Sequence, residues 1–174
     1  TDGSETTPTP ANTGWVQHHV TPDIVIPFWE YYQATGDEIF LKEKTWPVLK
    51  EVAYWIESRG VFTEKGFEFQ NVMGPDESLE NTNNNAYMNI VTKMAIKAAI
   101  QCAEIMGYSP PPNWIRIENE IFIPMDTKEN IIIPYENPPN PLSNDYSLGM
   151  VHFLFLHQPP INEQMIKNTY FFEE

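Results

Sequence analysis

Apolar residues recur every three or four positions along much of the chain, which is the spacing of amphipathic helices. The clearest run extends from about residue 84 to residue 106 and is expected to end at Gly107. Its apolar face carries Tyr87, Val91, Met94, Ala95, Ala98, Cys102 and Ile105. Similar spacing and end signals predict further helices over residues 21–36, 37–44, 45–59, 112–122, 148–156 and 162–171. The chain is therefore predicted to be mostly helical.

Capping signals indicate where the first helices begin and end. Thr21 is expected to be the N-cap of the first helix and Gly36 its end. Pro27 lies inside this run and should kink or delay the helix, because proline lacks a backbone donor. Thr45 is expected to cap the longer helix that follows, with Pro47 in its first turn.

Three stretches depart from the helical pattern. In residues 61–73, Phe67 and Phe69 alternate with polar residues after a turn at 64–66, which predicts a small β-hairpin leading into Gly74. Residues 123–147 contain five prolines and are predicted to be irregular. Residues 1–14 are polar and are expected to form a loop-like lead-in.

Charge and cysteine content limit the classes of partner. The chain has 24 acidic and 10 basic residues among 174, a net charge of −14, which disfavours nucleic acid and anionic membrane surfaces. No apolar run is long enough to cross a bilayer. The single cysteine, Cys102, allows no internal disulfide and is interpreted as a small buried hydrophobe. The expected partner is a small neutral molecule, and the cellular compartment stays open.

The strongest candidate for chemistry is the segment 72–80, which reads Val-Met-Gly-Pro-Asp-Glu-Ser-Leu-Glu. Gly74 and Pro75 should end the preceding strand, so Asp76 and Glu77 are expected on a loop with rigid neighbours. Residues 83–85 are all asparagine and directly precede the long helical run, where asparagine is a favoured cap.

This segment resembles the signature of glycoside hydrolase family 65, the maltose, trehalose and kojibiose phosphorylases and related glucosidases. The matching positions are Gly74, Pro75, Asp76, Glu77, Asn84, Asn85, Tyr87 and Asn89, whereas Ser78 and Met88 replace a tyrosine and a threonine. Residues 17–24, Gln-His-His-Val-Thr-Pro-Asp-Ile, and residues 32–37, Tyr-Gln-Ala-Thr-Gly-Asp, resemble two further family segments in the same order.

The resemblance implies an all-α fold, part of an (α/α)₆ barrel of the six-hairpin glycosidase type, with a small β-hairpin insertion. Twelve helices of ordinary size need about twice this length. Both chain ends also look cut, so residues 1–174 are expected to be a fragment of a catalytic domain whose remainder lies elsewhere.

The resemblance gives Glu77 the role of general acid in an inverting cleavage of an α-glucoside. Like-charged neighbours and partial desolvation would help Glu77 to retain a proton, which agrees with that role. The alternative is a solvated acidic turn before a helix N-terminus, where Asp and Glu are favoured in any case. Glu80 is too close along the turn to be the opposing base.

His19, Asp76 and Asn85 are the candidate substrate-binding residues, and each has a structural alternative. His19 could equally be a satisfied structural donor, Asp76 could orient the loop through backbone hydrogen bonds, and Asn85 could cap the helix. Four aromatic residues could stack on sugars but at helical spacing are more often core: Trp15, Trp29, Tyr32 and Trp55.

Hydrolysis of a glucosyl-containing disaccharide unit is the favoured function. One alternative is a disaccharide phosphorylase that uses inorganic phosphate as co-substrate. The other is a noncatalytic carbohydrate-binding helical domain, in which Ser78 in place of the family's tyrosine has disabled the site. No metal-ligand set and no cofactor motif is apparent, so neither a metal nor a cofactor is expected.

Overall fold

The structure is a computed structural model that describes residues 4, 6, 7, 12–139 and 163–172. The helices are α1 (Thr13–Val16), α2 (Val20–Asp23), α3 (Val25–Thr35), α4 (Glu38–Phe40), a π-helix (Leu41–Thr45), α5 (Trp46–Arg59), α6 (Ala86–Ile105), α7 (Pro112–Glu120) and α8 (Glu163–Phe172). The strands are β1 (Val61–Thr63), β2 (Gly66–Glu68), β3 (Met125–Asp126) and β4 (Ile131–Ile132).

Helix α6 is the centre of the described fold. It packs against α2, α3, α5 and α7, and most of its residues are buried. The side chains of Leu49 and Ile56 on α5, Ile96 on α6 and Ile117 on α7 are fully buried in the shared core. The predicted helix over 84–106 is thus confirmed, and it is buried among the four helices against which it packs.

The first predicted helix is two helices. Helix α2 begins at Val20, so Thr21 lies inside it and is not an N-cap, which corrects the prediction. Pro27 is the third residue of α3, a position where the missing N–H is not needed. The proline therefore delays the helix without breaking it. Gly36 ends α3 as predicted, with a positive φ of 66°.

The predicted cap at Thr45 is also wrong. The π-helix continues directly into α5, and Thr45 is helical with no capping hydrogen bond from its side chain. Its buried hydroxyl instead donates to the Phe28 carbonyl oxygen at 3.4 Å. The predicted cap does not form, because the buried Thr45 hydroxyl needs a hydrogen-bond partner in the core and finds it at Phe28.

The predicted hairpin is present but short. Strands β1 and β2 are antiparallel, with Phe62 opposite Phe67, and β2 ends at Glu68 without extending to residue 73. Gly66 is required at the turn because a Cβ there would lie 2.0 Å from the Glu120 carbonyl oxygen. A second hairpin, β3 with β4, lies in the segment predicted to be irregular.

The predicted helix over 162–171 is confirmed as α8, which packs against β4. The backbone N–H of Ile132 donates to the Thr169 hydroxyl at 2.9 Å and links the two elements. The predicted helix over 148–156 and most of the lead-in at 1–14 lie outside the described residues.

None of the helices in the described part of the chain combines the length and apolar character needed to cross a membrane.

Candidate active site

The loop that carries Glu77 is closed at its base by paired backbone hydrogen bonds. Val72 and Thr82 each donate an N–H to the other's carbonyl oxygen, at 2.8 and 2.9 Å. The buried Thr82 hydroxyl also donates to the Val72 carbonyl oxygen at 2.9 Å. Residues 73–81 therefore form a loop whose two ends are tied together, directly before α6.

Gly74 is fixed by the close approach of Asn85. A Cβ built on Gly74 would lie 2.3 Å from Asn85 Nδ2. The Asn85 side chain is buried and caps α6, because its Oδ1 accepts from the Met88 N–H at 3.2 Å. Only glycine at position 74 leaves room for this cap, so the loop and the helix are packed as one unit.

The two adjacent carboxylates of the loop have different surroundings. Asp76 is 8% exposed, and its Oδ1 accepts from the Ser78 N–H at 3.0 Å and from the Ser78 hydroxyl at 2.6 Å. This is a side-chain turn of the kind aspartate commonly forms. Glu77 is exposed at the tip of the turn, so within the described part of the chain it does not have the partial desolvation that was expected from the sequence. The Asp76 carboxylate thus shapes the loop and leaves Glu77 open.

The segment before α2 lies against the same loop. Gln17 Nε2 lies 3.4 Å from Glu77 Oε1, and the Met73 N–H donates to the Val16 carbonyl oxygen at 2.9 Å. Asn12 Nδ2 donates to Glu80 Oε2 at 2.7 Å. Two of the three sequence segments that carry the family resemblance, residues 17–24 and 72–80, are therefore in contact.

His19 is buried behind this contact. Its Nδ1 lies 2.9 Å from Asp23 Oδ2, and its ring packs edge-on against the Tyr87 ring at 5.2 Å. Tyr87 donates its hydroxyl to the other oxygen of Asp23 at 3.0 Å. Burial, and then the Asp23 carboxylate, raise the pKa of Tyr87 well above its usual value. These three residues link α2 to α6.

His18 faces a different set of neighbours. Its ring packs edge-on against Trp55 at 5.7 Å, and Arg59 Nη2 lies 2.7 Å from His18 Nε2. Burial, and then the Arg59 charge, lower the pKa of His18. The two adjacent histidines therefore contact different elements, His18 contacting α5 and His19 contacting α2 and α6.

A buried polar network that the sequence did not indicate supports the asparagine turn. Asn84 is fully buried, and its Nδ2 donates to Glu68 Oε1 at 2.8 Å and to Glu136 Oε2 at 2.9 Å. Lys65 pairs with Glu136, and its hydrogen bond is the main reason that the pKa of Glu136 is lowered. Glu136 also donates its N–H to the Asn83 carbonyl oxygen at 3.0 Å.

These contacts could not be found from sequence spacing, because Glu136 is 52 residues from Asn84 and 71 from Lys65. The residue type of Asn84 is the one signal in the sequence that relates to this network. In the structure Asn84 has a φ of +52°, a conformation that asparagine tolerates better than most residues. The network holds residues 83–85 in place between the loop and α6.

Of the candidate site residues, Glu77 alone is exposed. His19, Asp76 and Asn85 are 8%, 8% and 1% exposed, and their described contacts lie within the protein. Among the described residues, none forms a hydrogen bond with the buried His19 Nε2. The direct sugar contacts expected of these three side chains stay predictions, and within the described residues the open Nε2 of His19 does not fit the satisfied structural donor given as its alternative.

Within the described residues, no group of three or more His, Cys, Asp or Glu side chains is arranged to hold a metal ion. An open groove of about 660 Å³ lies between the β1–β2 turn and the end of α7, and Glu77 is not among the residues that line it.

Comparison with known proteins places the chain in a family. The model of the glycosyl hydrolase family 65 central catalytic domain matches residues 2–138. Kojibiose hydrolase from Flavobacterium johnsoniae is 43% identical over 122 residues, which cover 70% of this chain and 18% of the relative. Kojibiose phosphorylase from Caldanaerobacter subterraneus subsp. tengcongensis is 31% identical over 143 residues, covering 71% of this chain and 18% of the relative.

A solved structure shares the fold. A protein assigned as a kojibiose phosphorylase, from human microbiome, superposes with a TM-score of 0.69 at 15% identity, over 91% of this chain and 28% of that chain. The helical architecture and this match identify an all-α fold that is part of an (α/α)₆ barrel with a small β-hairpin. The chain belongs to glycosyl hydrolase family 65. It spans 18% of the length of the two curated relatives described above.

Proposed function

We propose that this chain supplies the general acid of an inverting enzyme that cleaves α-glucosides, and that Glu77 is this acid. The observation that carries the proposal is the contrast between Asp76, buried and hydrogen-bonded to Ser78, and Glu77, exposed on the same clamped loop. A general acid must reach the glycosidic oxygen, and Glu77 is the carboxyl of this pair that is free to do so.

In the proposed reaction, the protonated Glu77 carboxyl donates its proton to the glycosidic oxygen as the bond from that oxygen to the anomeric carbon breaks. A water molecule or a phosphate attacks the anomeric carbon from the opposite face, which inverts its configuration. The second carboxylate that activates water must lie across the sugar ring. Glu80 is held on the Glu77 side by Asn12, so it does not fill this role.

We propose hydrolysis of a glucosyl disaccharide unit in preference to phosphorolysis. The support is the 43% identity to one kojibiose hydrolase, against 30–37% to the kojibiose phosphorylases, although a second kojibiose hydrolase is 30% identical. A protein-glucosylgalactosylhydroxylysine glucosidase from Dictyostelium discoideum, 30% identical over 129 residues, is a further hydrolase among the relatives. Neither mode requires a cofactor, and the phosphorylase alternative needs inorganic phosphate as co-substrate.

The noncatalytic alternative rested on Ser78, which replaces the family's tyrosine. In the structure, the Ser78 hydroxyl and N–H both donate to Asp76 and complete the turn that presents Glu77. The replacement therefore leaves the loop intact, which supports a catalytic role over a disabled site.

We propose that His19, Asp76 and Asn85 support this site by holding the structure around Glu77 in place. Asn85 and Asp76 fix the two sides of the Glu77 turn, and His19 fixes the start of α2 against α6 through Asp23 and Tyr87. We also propose that the catalytic base and the remaining barrel helices come from sequence outside these 174 residues, since twelve helices need about twice this length.

The experiment that tests the proposed function compares kojibiose cleavage with and without inorganic phosphate, using the complete protein that contains this segment. Proton NMR should show β-glucose as the first glucosyl product at equal rates in both conditions. A strict requirement for phosphate, with β-glucose 1-phosphate as product, would establish the phosphorylase alternative. Because the leaving glucose is released as the mixture of anomers already present in kojibiose, the non-reducing glucose is labelled with ¹³C at its anomeric carbon. First formation of labelled α-glucose would refute inversion, and absence of any cleavage of α-glucosides would refute the enzyme proposal.

A further inference from the structure

One tryptophan is set apart from the others. Of the five tryptophans, Trp29, Trp46 and Trp55 pack against the core and Trp114 is 1% exposed. Trp15 is 65% exposed. The sequence pattern suggested that such aromatics belong to the core, and for Trp15 the structure shows otherwise. Among the described residues, its ring has no aromatic partner.

The position of Trp15 makes this exposure informative. Trp15 lies on the one-turn helix α1, and α1 with its flanking residues is bonded to the Glu77 loop at three points. Before Trp15, Asn12 donates to Glu80 at 2.7 Å. After it, the Val16 carbonyl oxygen accepts from the Met73 N–H at 2.9 Å, and Gln17 lies 3.4 Å from Glu77. The segment that carries this exposed indole is thus bonded to the loop that carries the proposed acid.

The backbone of Trp15 is also hydrogen-bonded within its own segment. The Trp15 N–H donates to the Asn12 carbonyl oxygen at 2.9 Å. A large rigid ring on a fixed backbone loses little freedom when it binds a ligand. Its flat apolar face matches the C–H face of a pyranose ring, whereas the nearby polar groups suit sugar hydroxyls.

We propose that Trp15 is a sugar-stacking residue that recognises the leaving-group sugar of the disaccharide. The proposal rests on the function proposed above, because the leaving group is the part of the substrate next to the general acid. Trp15 would then determine specificity for disaccharides over substrates with a small leaving group, and it would take no part in proton transfer.

The test uses the complete protein with Trp15→Ala, Trp15→Phe and the control Tyr108→Ala. Tyr108 is also an exposed aromatic residue, at 53%, but follows the far end of the 20-residue helix α6. Trp15→Ala should lower kcat/KM for kojibiose by about tenfold, mainly through KM, which corresponds to the size of one stacking contact. Trp15→Phe should retain most of the activity, and Tyr108→Ala should change neither parameter.

α-Glucosyl fluoride separates stacking from a structural effect, because it has no leaving-group sugar. Trp15→Ala should cleave it at the wild-type rate. Equal losses on both substrates would show that Trp15 supports the loop or is covered by another part of the protein, and an unchanged KM for kojibiose would also overturn the proposal. If the wild-type protein cleaves neither substrate, the proposed function has failed independently. Calorimetric titration with kojibiose then decides, and equal affinities of the wild-type and Trp15→Ala proteins would refute stacking.

Discussion

The contact between Gly74 and Asn85 gives the sharpest prediction about the architecture of the site. In Gly74→Ala, the new methyl carbon would lie 2.3 Å from Nδ2, 2.6 Å from Cγ and 2.7 Å from Oδ1 of Asn85. Gly74 does not have a positive φ, so alanine can adopt its backbone conformation. The cost therefore comes from the collision, which the Asn85 side chain relieves only by leaving its position.

The expected loss of stability has two parts, the collision itself and the loss of the helix cap. Overpacking of a buried site costs about 1–3 kcal/mol. Displacement of Asn85 removes the cap on the Met88 N–H of α6, which costs about 1 kcal/mol more. Gly74→Ala is therefore expected to lower the free energy of unfolding by about 2–4 kcal/mol. In an Asn85→Ala background the collision is absent, and the same substitution should cost less than about 1 kcal/mol.

Urea unfolding followed by circular dichroism measures this double-mutant cycle, provided that the m-value is the same for all four proteins. Gly36→Ala is the control. Gly36 has a φ of +66°, and a Cβ added to it would have no other atom within 4 Å, so its cost is one of backbone strain and should not depend on Asn85. If the effects of Gly74→Ala and Asn85→Ala are additive within about 0.5 kcal/mol, the packing explanation of Gly74 is refuted.

Two further predictions concern titratable groups away from the Glu77 turn. The lowered pKa of Glu136 means that its ionised form stabilises the fold above the ordinary value of 4.5, and that this contribution is lost as the pH falls through the lowered pKa. Glu136→Gln should therefore be less stable than the wild type at pH 7 and closer to it at low pH in acid unfolding curves, whereas a constant difference would contradict the Lys65 pairing. Burial raises the pKa of the Cys102 thiol to about 11. Iodoacetamide at pH 8 should therefore label Cys102 only after unfolding. Rapid labelling of the native protein would show that α6 is not the buried helix described above.

The central helix and the position of the Glu77 loop directly before it could be predicted from the sequence because their signals are local. Helical periodicity identified α6 to within two residues at its start, and Asn85 is the cap that its position before the helix predicted. Gly74 and Pro75 lie in the loop as predicted, but the preceding strand ends earlier, at Glu68, so they do not terminate it. The tie between Val72 and Thr82, and the buried turn at Asp76, are also contacts between residues close in sequence.

The errors came from contacts between residues distant in sequence. Thr45 has the side chain of an N-cap but bonds to Phe28 on another helix. Thr21 lies inside α2, which begins at Val20, and this short helix is bonded through Asp23 to Tyr87 on α6. The partners of Asn84 and the exposure of Trp15 depend on how α1, the hairpin and residues 134–136 assemble, and no periodic pattern records that arrangement.

The most direct test of the central claim is the effect of Glu77→Gln on two substrates in the complete protein. The substitution keeps the shape of the side chain and removes the acidic proton. Cleavage of kojibiose, whose leaving group needs a proton, should fall by roughly 100-fold or more, whereas cleavage of α-glucosyl fluoride should fall much less. Asp76→Asn should mainly reduce stability, since Asp76 is committed to Ser78. Equal losses on the two substrates for Glu77→Gln, or near-normal cleavage of kojibiose, would contradict the assignment of Glu77 as the general acid.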